Sequence, residues 1–266
     1  MGKRTSYEPG TFSWVDLATT DLDASKAFYG GLFGWEPHDS EVPGGGVYSM
    51  MRLGGADVAA IYDQPAEQRD AGVPPFWFSY VTVASADESA AAAKEAGGSV
   101  HAGPYDVMDA GRMAVIADPA GAMFGIWEPR ENIGADLVND PGCLTTNELA
   151  TTDVAGSIRF YERLFGWSVD PLDTGGAPPY WAIVHEGAAN GRNGGMRELG
   201  PDEEGRPPSW MPYFTASSAD ETIAKAAELG GATAFGPMDL PTGARIAVLA
   251  DPQEAYFAIF EGEVDD

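Results

Sequence analysis

Basic residues are scarce in this chain. Its 266 residues hold 15 Lys and Arg against 41 Asp and Glu, a formal net charge of −26 at pH 7. A surface this acidic repels phosphate backbones and anionic headgroups, which argues against nucleic-acid and membrane partners. Cysteine is rarer still: Cys143 stands alone, so no disulfide can form within the chain. It falls in a linker-like stretch without an adjacent basic or His residue, which argues against a reactive thiol. No apolar run approaches the roughly twenty residues of a membrane span, and the opening MGKRTSYEPG lacks the apolar centre of a secretory signal. The cytoplasm is the expected compartment. Histidine is sparse too. His38 is expected after a helix, His101 in a loop and His185 in a strand, and the three share no recognised ligand spacing. Glycine clusters at 43–46 and 194–195 lack the strand-Gly-x-Gly-helix context of a nucleotide loop.

What is abundant points to a packed globular protein. The hydrophobic fraction is 44% and the aromatic fraction 11%, too high for an acidic disordered chain. The length suits two domains of about 130 residues each. Internal similarity says what those two are. LATTDLDASKAFYGGLFGW at 17–35 returns as LATTDVAGSIRFYERLFGW at 149–167, so Asp21 maps to Asp153 with a shift of 153 − 21 = 132. SADESAAAAKEAGG at 85–98 returns as SADETIAKAAELGG at 218–231, and ADPAGAMFGIWE ending at Glu128 returns as ADPQEAYFAIFE ending at Glu261. The chain is a tandem duplication.

Each copy also has an inner rhythm. A short apolar strand, Trp14 to Ala18, leads into Asp21, a helix N-cap, and a helix carrying Phe28, Tyr29, Leu32 and Phe33 that Gly34 stops. Val154, Ile158, Tyr161 and Phe165 trace one helical face in the second copy. Two strands are expected near Tyr48 to Leu53 and Asp57 to Tyr62, and a third over Phe76 to Val83. Ser85 with Glu88, and Ser218 with Glu221, open a second helix in each copy. Strands near Arg112 to Ala117 and Met123 to Trp127 flank an Asp-Pro turn and complete the half. Each half reads as βαβββ followed by βαβββ.

The repeated LATTD, FY and LFGW segments, with the Asp-Pro turn before the last strand, resemble the vicinal oxygen chelate superfamily. That superfamily groups glyoxalase I, bleomycin-resistance proteins, fosfomycin-resistance enzymes and extradiol dioxygenases. The resemblance implies an α+β fold of two tandem domains, 1–130 and 145–266 joined by a linker at 131–144. Each would be a pair of βαβββ modules whose curved mixed sheets enclose a cavity. As a tandem pair, the chain is most similar to glyoxalase-like bacterial proteins often labelled hydroxylase.

Metal-bearing members of that superfamily place a His, Gln or Glu seven residues before the capping Asp. Those positions are Trp14 and Thr146 here. A carboxylate ligand is expected four residues beyond the Asp-Pro turn, where Gly125 and Ala258 stand. The inner-module ligand falls near Phe78 or Tyr80, and near Met211 or Tyr213 in the second copy. None of these is His, Cys or a carboxylate, so neither a metal nor another cofactor is expected.

Strand alternation then names what faces the cavity. Trp14 and Asp16 share a face, as do Thr146 and Glu148, so one carboxylate is expected to look into each cavity. Met123 and Trp127 on the last strand, matched by Tyr256 and Phe260, turn the slot apolar and aromatic, with Tyr48 on a neighbouring strand. Arg112 and Arg245 are equivalent, and each is expected to meet its half's carboxylate, as a structural ion pair or as an electrostatic partner for a ligand. Trp77 and Trp210, near Tyr80 and Tyr213, suit either interior packing or a ligand platform. Two functions follow: a metal-independent binder of a small apolar or aromatic molecule, or an enzyme on a small carbonyl, quinone or polyketide-like substrate with Glu148 or Asp16 as acid/base. A protein-interaction role for the acidic surface has no dedicated motif. The expected state is a monomer or homodimer.

Overall fold

A computed structural model describes residues 2–42, 45–176, 178–188 and 191–264. Pro43 and Gly44 of the cluster at 43–46, and Asp265 and Asp266, lie outside the described residues. In the first half, β1 (Phe12–Thr19), α1 (Leu22–Phe33), β2 (Glu36–Glu41), β3 (Val47–Leu53) and β4 (Ala56–Asp63) make one βαβββ module. The next comprises β5 (Phe76–Thr82), α2 (Ala86–Glu95), β6 (Ser99–Val107), β7 (Gly111–Ala117) and β8 (Met123–Pro129). The second half repeats the pattern with β9 (Leu144–Thr151), α3 (Val154–Phe165), β10 (Ser168–Leu172), β11 (Tyr180–Val184) and β12 (Arg192–Glu198). Its last module is β13 (Ser209–Thr215), α4 (Ala219–Glu228), β14 (Ala232–Asp239), β15 (Arg245–Ala250) and β16 (Tyr256–Glu261).

Each half forms one open eight-stranded sheet, in the orders β2-β3-β4-β1-β5-β8-β7-β6 and β10-β11-β12-β9-β13-β16-β15-β14. The first strands of the two modules pair antiparallel at the centre, and each runs parallel to the last strand of its own module. Local sequence fixes the helix ends. The Asp21 carboxylate accepts from the Ala24 N–H, and Ser85 Oγ accepts from the Glu88 N–H. Gly34 closes α1 at φ 75°, a left-handed position that costs glycine little.

The helices lie between the two sheets. One core joins Val15, Leu17, Phe28 and Tyr29 of the first half to Phe214, Leu249, Phe257 and Ile259 of the second. Its counterpart joins Ile116, Phe124 and Ile126 to Phe160, Tyr161, Trp167 and Trp210. Truncating one such ring to Ala costs about 3–5 kcal/mol. Buried hydrogen bonds repeat with the duplication. Tyr29 receives the Trp77 indole N–H at 3.0 Å and donates to Asp251 at 3.1 Å, while Tyr161 receives that of Trp210 at 2.9 Å and donates to Asp118 at 3.3 Å. The aspartates of the two Asp-Pro turns therefore each anchor a helix of the opposite half.

Two local expectations change. His101 lies within β6, and His185 sits just past β11, where its Nδ1 accepts from the Gly187 N–H at 3.0 Å. Gly194 and Gly195 belong to strand β12. Cys143 is fully buried in the inter-half core, and burial pushes its thiol up to about 12.

Candidate functional site

Strand register decides which side chains share the outer face of each sheet, the face turned away from the helices. Asp16 stands opposite Ala60 on β4 and Phe78 on β5, Tyr48 opposite Tyr62, and Trp14 opposite Tyr80. Tyr80 neighbours Gly125, and Met113 faces Trp127 on one side and Tyr105 on the other. Trp14, Ala60, Phe78 and Tyr80 form a buried floor, against which the half-buried Tyr48, Met113 and Trp127 pack. Above it the face opens: Tyr105 is 46% and Met123 41% exposed. In the second half the rim residues Phe235 and Tyr256 are 51% and 50% exposed. In the first half the outer face is thus an apolar surface with exposed side chains over a filled floor, and in the second half exposed rings stand at the same rim.

One carboxylate sits in each floor, as alternation from Trp14 and Thr146 requires. Asp16 is 3% exposed, and its Oδ2 accepts from Tyr48 Oη at 3.1 Å and Tyr80 Oη at 3.0 Å. The Trp14 indole N–H donates to Tyr48 Oη at 3.0 Å, which orients that hydroxyl. Among the described residues no cation joins this cluster, and burial raises the Asp16 carboxyl from an ordinary value near 3.8 to about 7, although both tyrosine hydrogen bonds pull it down. Its Oδ1 is buried without a hydrogen-bond partner.

The second half treats the equivalent acid differently. Glu148 Oε1 accepts from Arg197 Nε and its Oε2 from Tyr213 Oη, each at 2.9 Å, and burial together with the nearby Glu148 charge raises the Tyr180 hydroxyl. Arg197 continues to Glu203 through Nη1 at 2.5 Å and Nη2 at 2.9 Å. That bidentate pair holds the Glu203 carboxyl down to about 2, and the Glu203 hydrogen bonds hold the Arg197 guanidinium above its ordinary range. Glycine makes room for both clusters. A Cβ at position 125 would run into the Tyr80 ring, and one at 195 would run into the Tyr180 hydroxyl.

The expected arginine partners are corrected. Arg112 bonds Asp87 at 2.8 Å and Asp106 at 3.0 Å, and Arg245 lies 3.3 Å from Asp220 and 3.5 Å from Asp239. Neither meets Asp16 or Glu148. The reason is strand alternation: Arg112 faces Glu128 and Arg245 faces Glu261, both on the helix side, one position out of phase with Met113 and Ile246. Trp77 and Trp210 are likewise on the helix side and serve the inter-half cores. Trp14, Tyr48, Tyr80, Met123 and Trp127 lie on one outer face, and Thr146, Tyr213, Tyr256 and Phe260 on the other. Sequence reading missed Arg197, Tyr180, Glu203 and Tyr62. Matching ADVAAIYD to the glycine-broken RNGGMRE would have exposed Arg197 as the counterpart of Tyr62.

The residues at the inferred metal positions do not form a ligand set. Trp14, Tyr80 and Gly125 occupy them in the first half and Thr146, Tyr213 and Ala258 in the second, and the Tyr80 ring fills the space over Gly125. Among the described residues no three His, Cys, Asp or Glu side chains converge. A shallow depression at the start of α3, lined by Thr152, Asp153, Val154, Ile158, Trp181 and Glu198, includes neither carboxylate cluster.

The pattern of the Glyoxalase/Bleomycin resistance protein/Dioxygenase superfamily matches residues 11–126 and again 144–259. The chain belongs to that superfamily. Two tandem superfamily domains thus account for the two sheets. Putative glyoxylase CFP32 of Mycobacterium bovis is 42% identical over 262 residues, covering 98% of each chain. The anthracycline biosynthesis protein DauV of Streptomyces sp. strain C5 is 36% identical over 270 residues, covering 97% of this chain and 95% of that one. Among solved structures, the Mn(II)-bound glyoxalase of Novosphingobium aromaticivorans superposes with TM-score 0.66 at 15% identity, covering 97% of this chain and 85% of its own. The 2,3-dioxygenase LapB of Pseudomonas sp. KL28 gives 0.65 at 12% identity, with 99% and 95% covered. These two likenesses establish the fold. No helix among the described residues is long and apolar enough to cross a membrane.

Proposed function

We propose that the outer faces bind a small, flat, largely apolar organic molecule and that they do so without a metal. The observation that carries this reading is the replacement of every inferred ligand position by an aromatic or small side chain on a face of aromatics and methionines whose rim is exposed. Such a lining offers area and polarisable contacts to a ring system, with few polar groups to fix its orientation. The similarity to relatives named for anthracycline biosynthesis is consistent with an aromatic ligand. The test is thermal melting of EDTA-treated protein against flat aromatic probes such as 2-naphthol. Stabilisation that survives EDTA supports the proposal. About one tightly held divalent ion per half, found by metal analysis, would refute it.

A second reading, catalysis on a carbonyl or quinone substrate, is favoured by one observation. A carboxyl poised near pH 7 beside two tyrosine hydroxyls is matched to proton transfer at neutral pH. Here Asp16 is the acid/base, with Glu148 its counterpart in the other half. Product formation that disappears in Asp16→Asn while ligand stabilisation persists decides for the enzyme.

A further inference from the structure

The duplication left the same carboxylate in two different states. In the second half, both oxygens of Glu148 are spent, one on Arg197 and the other on Tyr213. Arg197 is spent in turn, because its Nη1 and Nη2 hold Glu203. That cluster is closed. In the first half, Tyr62 occupies the strand position equivalent to Arg197, and among the described residues no cation pairs with Asp16. Both of its hydroxyl donors go to a single oxygen, Oδ2, and Oδ1 accepts nothing.

A buried carboxylate oxygen without a donor is costly, and a ligand that supplies the donor recovers that cost on binding. Asp16 shares its face with Trp14 and Phe78 in the floor of an open aromatic groove. Met113, packed against that floor, is half-buried, and an unbranched side chain of this kind turns aside by changing rotamer. We infer that the first half is the specific binding site of the pair: Asp16 Oδ1 accepts a hydrogen bond from the hydroxyl of a flat aromatic ligand, a phenol or naphthol, while Glu148 serves the architecture of the second half. This rests on the outer faces being small-molecule grooves, and it adds which half discriminates and by which atom.

A ligand pair that differs only in the donor isolates the claim. Calorimetric titration of the wild-type chain at pH 8, where Asp16 is ionised, compares 2-naphthol with 2-methoxynaphthalene, which has the same ring system and no hydroxyl proton. The hydroxyl is expected to give at least about a tenfold tighter Kd, because the acceptor is a carboxylate. One discriminating site per chain is expected. Asp16→Asn, whose amide nitrogen replaces Oδ1, removes the preference and leaves the two probes equal.

Equal binding of both probes to the wild-type chain overturns this inference and leaves the apolar groove standing. Binding of neither overturns the groove itself. Two equivalent discriminating sites per chain, or discrimination abolished by Glu148→Gln but retained in Asp16→Asn, also contradicts the assignment. The wild-type comparison needs no variant to fold.

Discussion

Replacing Asp16 by Asn tests the electrostatics of the first floor through stability alone. The Asp16 carboxylate is buried, takes two tyrosine hydrogen bonds and has no cation, so burial lifts its carboxyl from near 3.8 to about 7. The folded chain therefore holds this proton more tightly than the unfolded chain. By linkage, the group's contribution to stability is fully present below about pH 4 and is lost as pH rises through 7. The full displacement corresponds to about 4 kcal/mol. Of this, about 2 kcal/mol falls between pH 5 and pH 8, because the first part is already lost by pH 5, where the unfolded carboxyl has ionised, and the rest is lost as the folded one ionises near 7. The groups facing Asp16 are Tyr48 from β3, Tyr62 from β4, Tyr80 from β5 and Tyr105 from β6, and burial raises the hydroxyl of each, so none titrates in this range. Asn reproduces the shape of the protonated acid and does not titrate. Urea unfolding of both proteins at pH 5 and pH 8 should show the wild-type chain losing about 2 kcal/mol relative to Asp16→Asn over that interval, or roughly 4–8 °C in Tm. A difference that stays constant between the two pH values refutes the reasoning, because Asp16 would then be ionised in the folded state throughout.

Other substitutions test other links. Arg197→Met leaves Glu148 buried without its cation and should cost about 3 kcal/mol in urea unfolding; a loss below about 0.5 kcal/mol would mean that Glu148 is already solvated. Tyr29→Phe removes the hydroxyl that links Trp77 to Asp251 across the two halves, and about 1–3 kcal/mol should be lost in the same assay. Gly125→Ala places a methyl against the Tyr80 ring; a loss of about 1–3 kcal/mol is expected, with weaker stabilisation by 2-naphthol in thermal melting. Unchanged melting and unchanged ligand response would show that the ring is free to move off Gly125.

Much of the fold is written in the chain because the duplication prints each signal twice. Asp21 and Asp153 cap equivalent helices, Gly34 and Gly166 stop them, and the alternation of Trp14, Asp16 and Ala18 assigns the strand's two faces correctly. The floor carboxylates were legible for the same reason. Their partners were not, because a partner is set by register between strands far apart in sequence. Arg112 and Arg245 looked suitable by position, yet one step of alternation turns them to the helix side, where Asp87 and Asp220 wait. Arg197 was hidden because Gly194 and Gly195 break the apolar pattern of β12. Those glycines are there for packing: a Cβ at 194 would meet the Asn147 carbonyl oxygen, and position 195 must stay bare because the Tyr180 hydroxyl lies over it. Trp77 and Trp210 could not be assigned from sequence, since a tryptophan between halves and one lining a groove look alike until the helix layer is placed.

The seven tryptophans provide the most direct test of metal-free binding on the outer face. Trp14 and Trp127 belong to the first groove, while Trp35, Trp77, Trp167 and Trp210 lie in the inter-half cores. In a 15N-indole NMR titration of EDTA-treated protein with 2-naphthol, the Trp14 and Trp127 resonances should move with a common Kd while the four core indoles stay in place. Shifts confined to the core indoles, or shifts that appear only when a divalent metal is restored, would contradict a metal-independent groove floored by Asp16.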